Sequence, residues 1–196
     1  MLKKLTLYAA LIVLAAGGIS SALATEAPVD VTKPASAEVR GITPQLLTSI
    51  TTWLAANFDL PATPDLPKVE FAPQIKLVAM RYKSFMPESW REDAIRDTSV
   101  QAAHQREVVA IYNDRTRTIF LPENWTGADA TELSMLVHEM VHHMQNLAKL
   151  EYQCPAAREK LAYEAQNDWL KQHGLNLETE FGLDLFTIFV TSACMN

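Results

Sequence analysis

Within the apolar run Leu133 to Met144 the chain reads His138-Glu139-Met140-Val141-His142. An α-helix turns about 100° per residue, so positions four apart lie about 40° apart around the axis, one turn along. His138 and His142 therefore point the same way and can grip one metal ion between them. Glu139 falls about 100° round from His138, beside such an ion and not on it, where a base for an activated water belongs. The motif carries this chemistry only on a helix, so it fixes both a secondary structure and a facing direction.

The neighbouring residues read as that helix. Leu133, Leu136, Val137, Met140, Met144 and Leu147 form a stripe at helical spacing, and Ser134, His138, His142 and Gln145 make the opposite face. Asp129 serves as N-cap, and Glu132, three residues on, completes a capping box. His143 lies about 140° from His138 and stays off the metal, as a solvated or a packing histidine. The plain alternative for His138 and His142, a surface pair, fits poorly with an amphipathic helix and an acid in phase.

A zinc ion in a hydrolytic site takes three protein ligands and one water. The third must come from outside the motif. Pro155 to Gln172 reads as a helix stopped at Gly174, and Glu159, in Glu159-Lys160-Leu161-Ala162, is the candidate. Glu164 competes with it, but five residues on a helix are about 140° of rotation, so only one of the two can face the metal. Ala162, Tyr163, Gln166 and Leu170 share the Glu159 side and look inward. Glu164 falls with Ala157, Arg158, Asn167, Asp168 and Lys171 on a mostly polar side. The phase favours Glu159, and the small Ala162 lets the two helices approach closely.

Residues 1–24 read as a secretory signal peptide: Lys3 and Lys4, an apolar run Leu5 to Ala16, and Ala22-Leu23-Ala24 before Thr25. The apolar run is shorter than the roughly 20 residues that span a bilayer, and no later stretch is long enough, so no stable membrane anchor is expected after cleavage. The expected location is exported, periplasmic or secreted, in a bacterial style. Residues 25–40, rich in Pro, Ala, Val and Thr, read as a flexible leader, and 41–196 as one domain. Loss of the signal removes two lysines and no acid, moving the net charge from -6 to -8. An acidic chain without a basic run makes a poor nucleic-acid binder.

Two cysteines in an exported chain predict one disulfide, Cys154–Cys194. The alternative, two thiols contributing to a metal site, matches no zinc spacing. Thr43-Pro44 starts a helix with Leu46, Leu47, Ile50, Trp53 and Leu54 on its apolar face. Val69 to Phe71 is a short strand candidate, and 74–85 is ambiguous but can be a helix. Residues 87–105 are polar, mostly loop or short helix, and His104 falls there without a role. Val108 to Tyr112 and Thr118 to Leu121 form a hairpin around a turn at 113–117. Thr118 to Leu121 is either an edge that pairs with an extended peptide or an ordinary strand of a sheet. Residues 183–193, apolar and β-branched, read as a last helix, although a strand would look similar.

His-Glu-x-x-His on one helix, followed by Glu-x-x-Ala on the next, resembles the gluzincin group of zinc metallopeptidases, and the layout is similar to its smallest, minigluzincin-like bacterial members. The resemblance covers roughly residues 108 to 170. It implies an α+β, zincin-like single domain with a small antiparallel or mixed sheet, an active-site helix and a following glutamate helix. It also implies one Zn2+ per chain held by His138, His142 and Glu159, Glu139 as general base, and a peptide or protein substrate. The chain departs from the pattern after Ala162. Many members have there an aspartate that braces a histidine ligand; here it is Tyr163, whose hydroxyl either does similar work or whose ring is core packing. For stabilising a tetrahedral intermediate, Tyr152 and His173 are both open. The reading is an exported zinc hydrolase, in first place a metallopeptidase. Its alternatives are a non-catalytic zincin-like domain that binds a partner or envelope component, and a zinc amidase acting on a non-peptide amide.

Overall fold

Thr43 accepts a hydrogen bond from the Leu46 N–H at 3.1 Å and Pro44 supplies the first helical residue, so helix α1 runs Pro44–Asn57. Its Leu47, Ile50 and Leu54 are buried, while Leu46 and Trp53 pack at the margin. The computed structural model of the chain describes residues 41–82 and 110–194. The signal peptide, the leader, the stretch 87–105 with His104, and the outer parts of the helix read at 74–85 and of the strand read at 108–112 lie outside these residues.

The architecture is α+β, with six α-helices and one three-stranded mixed sheet among the described residues. Strand β1, Lys68–Ala72, is followed by helix α2, Gln74–Tyr82. Strands β2, Ile111–Asn113, and β3, Thr118–Pro122, are antiparallel neighbours, as a hairpin requires. The turn between them is closed by Asn113, whose Oδ1 accepts from the Arg115 and Thr116 N–H groups at 3.0 and 3.2 Å. β1 pairs with β3 in parallel, Lys68 opposite Thr118 through Ala72 opposite Pro122, giving the order β1-β3-β2. Of the two readings of Thr118 to Leu121, the structure takes the second: it is the central strand of the sheet, paired with β1 along its length and with β2 over Thr118 to Phe120.

A short loop feeds β3 into the motif helix. Gly127 has φ 70°, and a Cβ there would come within 2.5 Å of the Trp125 ring, so only glycine fits. Trp125 is buried, and its indole N–H donates to the Glu132 carbonyl at 3.0 Å, fastening the loop to the first helical turn. Helix α3 spans Ala130–Leu147. Half of the predicted capping box is present: Asp129 accepts from the Glu132 N–H at 2.8 Å. The reciprocal half is displaced, since Glu132 Oε2 accepts from the Thr126 hydroxyl, the Thr126 N–H and the Ala128 N–H.

Past α3 the chain makes a 3-10 turn, Pro155–Arg158, and then helix α4, Glu159–Lys171. Glu159 is thus the first residue of the α-helix proper. Gly174, at φ 75°, ends the segment, with the Leu175 N–H bonded back to the Leu170 carbonyl at 3.0 Å. A short helix α5, Leu177–Phe181, follows; it was not anticipated, although Asn176 caps its start and Gly182 its end. Helix α6, Leu185–Ser192, capped by Asp184, falls inside the predicted 183–193. It buries no residue, and Leu185, Phe186 and Phe189 stand out at 83, 74 and 69 % exposure. The disulfide Cys154–Cys194 ties its end to the 3-10 turn.

The core joins Leu47, Ile50 and Leu54 of α1, Ile119 and Leu121 of β3, Leu136, Val137, Met140, Val141 and Met144 of α3, and Ala162 and Ala165 of α4. Every residue of α3 from Ser134 to Gln145 is buried. Its polar face therefore looks into the protein, against α4, and not into water. No helix among the described residues is long and apolar enough to cross a membrane.

Candidate metal centre

The buried polar face of α3 meets the start of α4 at three atoms. His138 Nε2 and His142 Nε2 lie 3.2 Å apart; Glu159 Oε2 is 3.2 Å from the first and 3.3 Å from the second. The helical phase brings the imidazoles together, and Ala162, fully buried one turn past Glu159, lets α4 come close enough to deliver the carboxylate. Glu164 points elsewhere: it is exposed and sits 4.0 Å from Lys160.

Three electron-pair donors at these separations repel one another unless a cation or a proton lies among them. Tetrahedral ligation with bonds of 2.0–2.1 Å places ligand atoms about 3.3–3.4 Å apart, which is the observed spacing to within about 0.2 Å. Two imidazoles and one carboxylate are a donor set for a divalent transition ion and leave one tetrahedral position without a protein ligand. The residues present fit a metal, and His138, His142 and Glu159 are a group that can hold one.

Electrostatics follow the same convergence. Burial works against a charge on Glu159, yet its hydrogen bonds with His138 and His142 outweigh burial and hold its carboxyl well below the usual range. Burial alone would depress the His142 imidazole, but the Glu159 carboxylate beside it raises it above its ordinary value. Glu139 is buried on the same helix, and no hydrogen bond to its carboxylate is found among the described residues.

The outer nitrogens of both imidazoles are held by amides. His138 Nδ1 is 3.0 Å from Gln166 Oε1, and His142 Nδ1 is 3.0 Å from Gln145 Oε1. Gln166 lies seven residues past Glu159, two turns along on the same face of α4. Tyr163 does not brace a histidine through its hydroxyl. Its ring packs edge-on against the His138 imidazole, centroids 4.8 Å apart, and its hydroxyl is raised above its usual range by burial first and by Glu159 next, while a hydrogen bond from Arg81 of α2 acts the other way.

The remaining sequence candidates separate. His143 is fully buried, with Nδ1 3.1 Å from the Tyr112 hydroxyl and Nε2 2.8 Å from the Asp65 carbonyl; it is a packing histidine. His173 follows the far end of α4, fourteen residues beyond Glu159 and so about 20 Å along the axis. It packs on Trp169 and is out of reach of the triangle. Tyr152 lies within electrostatic reach of Arg158. The cysteines are bonded to each other and are not thiol ligands. Arg158, read as part of the polar side of this segment, forms a two-pronged ion pair with Asp114 at 2.8 and 2.9 Å, pinning the β2–β3 turn beside Glu159.

No curated protein matches the chain significantly, and neither does any solved structure. One family model, described as "Domain of unknown function (DUF6647)", matches residues 40–196, a span that takes in the whole sheet, the motif helix, the glutamate helix and both cysteines. With four-fifths of its length under that model, the chain belongs to the DUF6647 family.

Proposed function

We propose that this chain is an exported zinc-dependent hydrolase, in first place a metallopeptidase with a zincin-like fold of the gluzincin type. The observation that carries the reading is the triangle of His138 Nε2, His142 Nε2 and Glu159 Oε2 with sides of 3.2–3.3 Å, with Glu139 one residue from its first corner. Zinc takes such a mixed imidazole and carboxylate set in hydrolytic sites, and when bound it would lower the pKa of a coordinated water and polarise a carbonyl. Export is supported by the signal-like residues 1–24, and a disulfide suits an oxidising compartment.

The chain's own residues would divide the remaining work. His138, His142 and Glu159 hold the ion and leave one position open to water or substrate. Glu139 takes the proton of the attacking water and gives it to the leaving amine, a transfer worth typically 10²–10⁴-fold. Burial of α3 keeps bulk water from the rear of the site. The substrate class is an amide, a peptide or protein first.

The test is hydrolysis of a peptide library by the zinc-loaded protein and by Glu139→Gln. The variant should keep its zinc and its fold and lose activity by at least about 10²-fold, because the base is not a ligand. Cleavage that survives this change would overturn the mechanism. A zinc-loaded protein that cleaves no peptide but opens other amides would be the amidase; one inert to both would be a zincin-like domain whose metal serves structure and partner binding.

A further inference from the structure

The two glutamines behind the triangle have only one possible orientation each. Amide oxygen and nitrogen are told apart by their other partner. Gln145 Nε2 lies 3.1 Å from the Arg158 carbonyl oxygen, which can only accept, so Nε2 donates there and Oε1 faces His142. Gln166 Nε2 lies 3.2 Å from Ser134 Oγ. The Ser134 hydroxyl donates to the Thr131 carbonyl at 2.7 Å, so Ser134 accepts from Gln166, and Gln166 Oε1 faces His138. Both relays end on main-chain carbonyls and cannot run backwards.

An amide oxygen accepts, so each neutral imidazole must carry its proton on Nδ1 and keep its lone pair on Nε2, and a proton shared between Nε2 and Glu159 makes an imidazolium that still donates from Nδ1. We propose that Gln145 and Gln166, the latter backed by Ser134, are positioning residues that lock His138 and His142 in the Nδ1–H form before metal arrives, presenting both Nε2 lone pairs beside Glu159. This rests on the metal-binding reading of the triangle and says how the site is prepared for it. His143, the next residue on the same helix, is locked the opposite way. Its Nε2 faces the Asp65 carbonyl and must donate, and its Nδ1 accepts from the Tyr112 hydroxyl, whose oxygen accepts from Asn146 Nδ2 at 2.9 Å. The form is therefore set by the partner and not by the helix. Amides also brace without charge: a carboxylate in either place would hold the Nδ1 proton as well, but would add a second negative charge behind the ligands and make the ion less electrophilic.

The test is the protonated ring nitrogen of each histidine, read by two-dimensional proton–nitrogen NMR on metal-free full-length protein at a pH above the histidine titrations. His138 and His142 should be Nδ1–H and His143 Nε2–H. Gln166→Met, which keeps the length and removes the acceptor, should release His138 alone into a mixture of forms. It should also weaken zinc in a chelator competition by roughly 10- to 100-fold. Gln166→Glu, which restores the acceptor, should restore both the Nδ1–H form and the affinity. A purely structural Gln166 would instead be harmed by the buried charge at least as much as by Met. Nε2–H at His138 or His142 in the unaltered protein, a reading that needs no variant, would overturn the proposal. Nδ1–H in a protein that binds no zinc would leave the lock standing and sink the hydrolase reading.

Discussion

On the front of α3, His138 and His142 turn their Nε2 atoms toward one another and toward Glu159 Oε2, with 3.2–3.3 Å between each pair. On the back, His143 has both nitrogens taken by the protein, one by Tyr112 and one by the Asp65 carbonyl. All three imidazoles are buried on one helix. The back histidine is complete and serves the fold, joining α3 to β2 and to the proline-rich 59–67 segment. The front pair is different: its inner nitrogens and the Glu159 carboxylate come together at a spacing that a cation or a shared proton satisfies. Burial of a histidine therefore says little about its role, and what its two nitrogens meet says nearly everything.

Substitutions should pull the two faces apart. The largest effect is expected at the front: His138→Ala or His142→Ala should leave a folded protein that keeps no zinc through dialysis, by elemental analysis. Retained zinc in both would erase the contrast between the faces. At the back, His143→Leu should leave zinc affinity unchanged and cost about 1–3 kcal/mol of stability in denaturant unfolding, because the Tyr112 hydroxyl and the Asp65 carbonyl lose their partner.

The back face also has a pH signature. Burial lowers the His143 pKa below its ordinary value of about 6.5. Below pH 6.5 the unfolded chain then binds a proton that the folded one refuses, so stability falls as pH drops toward the lowered value and is fully present above 6.5. His143→Leu should flatten that acid-side slope in unfolding curves measured across the window; an unchanged slope would place a charged His143 in the fold. The smallest effects distinguish the two glutamates of α4. Glu159→Ala should weaken zinc by at least about tenfold in a chelator competition, whereas Glu164→Ala, exposed beside Lys160, should leave it nearly unchanged. The reverse pattern would mean that α4 is rotated from its present phase.

Much of the front face was legible in sequence because helical phase alone determines it: His138 with His142, Glu159 over Glu164, and the small Ala162 between the helices. The braces were harder. Gln145, three residues from His142, is at a spacing where helical side chains meet and could have been found. Gln166 shares a face with Glu159, but its contact with His138 spans 28 residues and an amide has no ligand signature. The partners of His143 lie 31 and 78 residues away, which no local pattern reports. The sheet was half legible: the hairpin is a local signal, whereas the parallel pairing of β1 with β3 depends on a crossover. At the C-terminus, Leu185, Phe186 and Phe189 of α6 are exposed. Its apolar, β-branched residues suit a strand as well as a helix; the Asp184 cap starts the helix and the disulfide to Cys154 holds its end.

Zinc-edge X-ray absorption on protein loaded with one equivalent of zinc tests the metal centre most directly. The expected spectrum shows two imidazole nitrogens and oxygen at about 2.0–2.1 Å, four ligands in all, one of them exchangeable for a small added anion. Sulfur in the first shell, a six-oxygen shell, or fewer than two imidazoles would contradict a centre built from His138, His142 and Glu159.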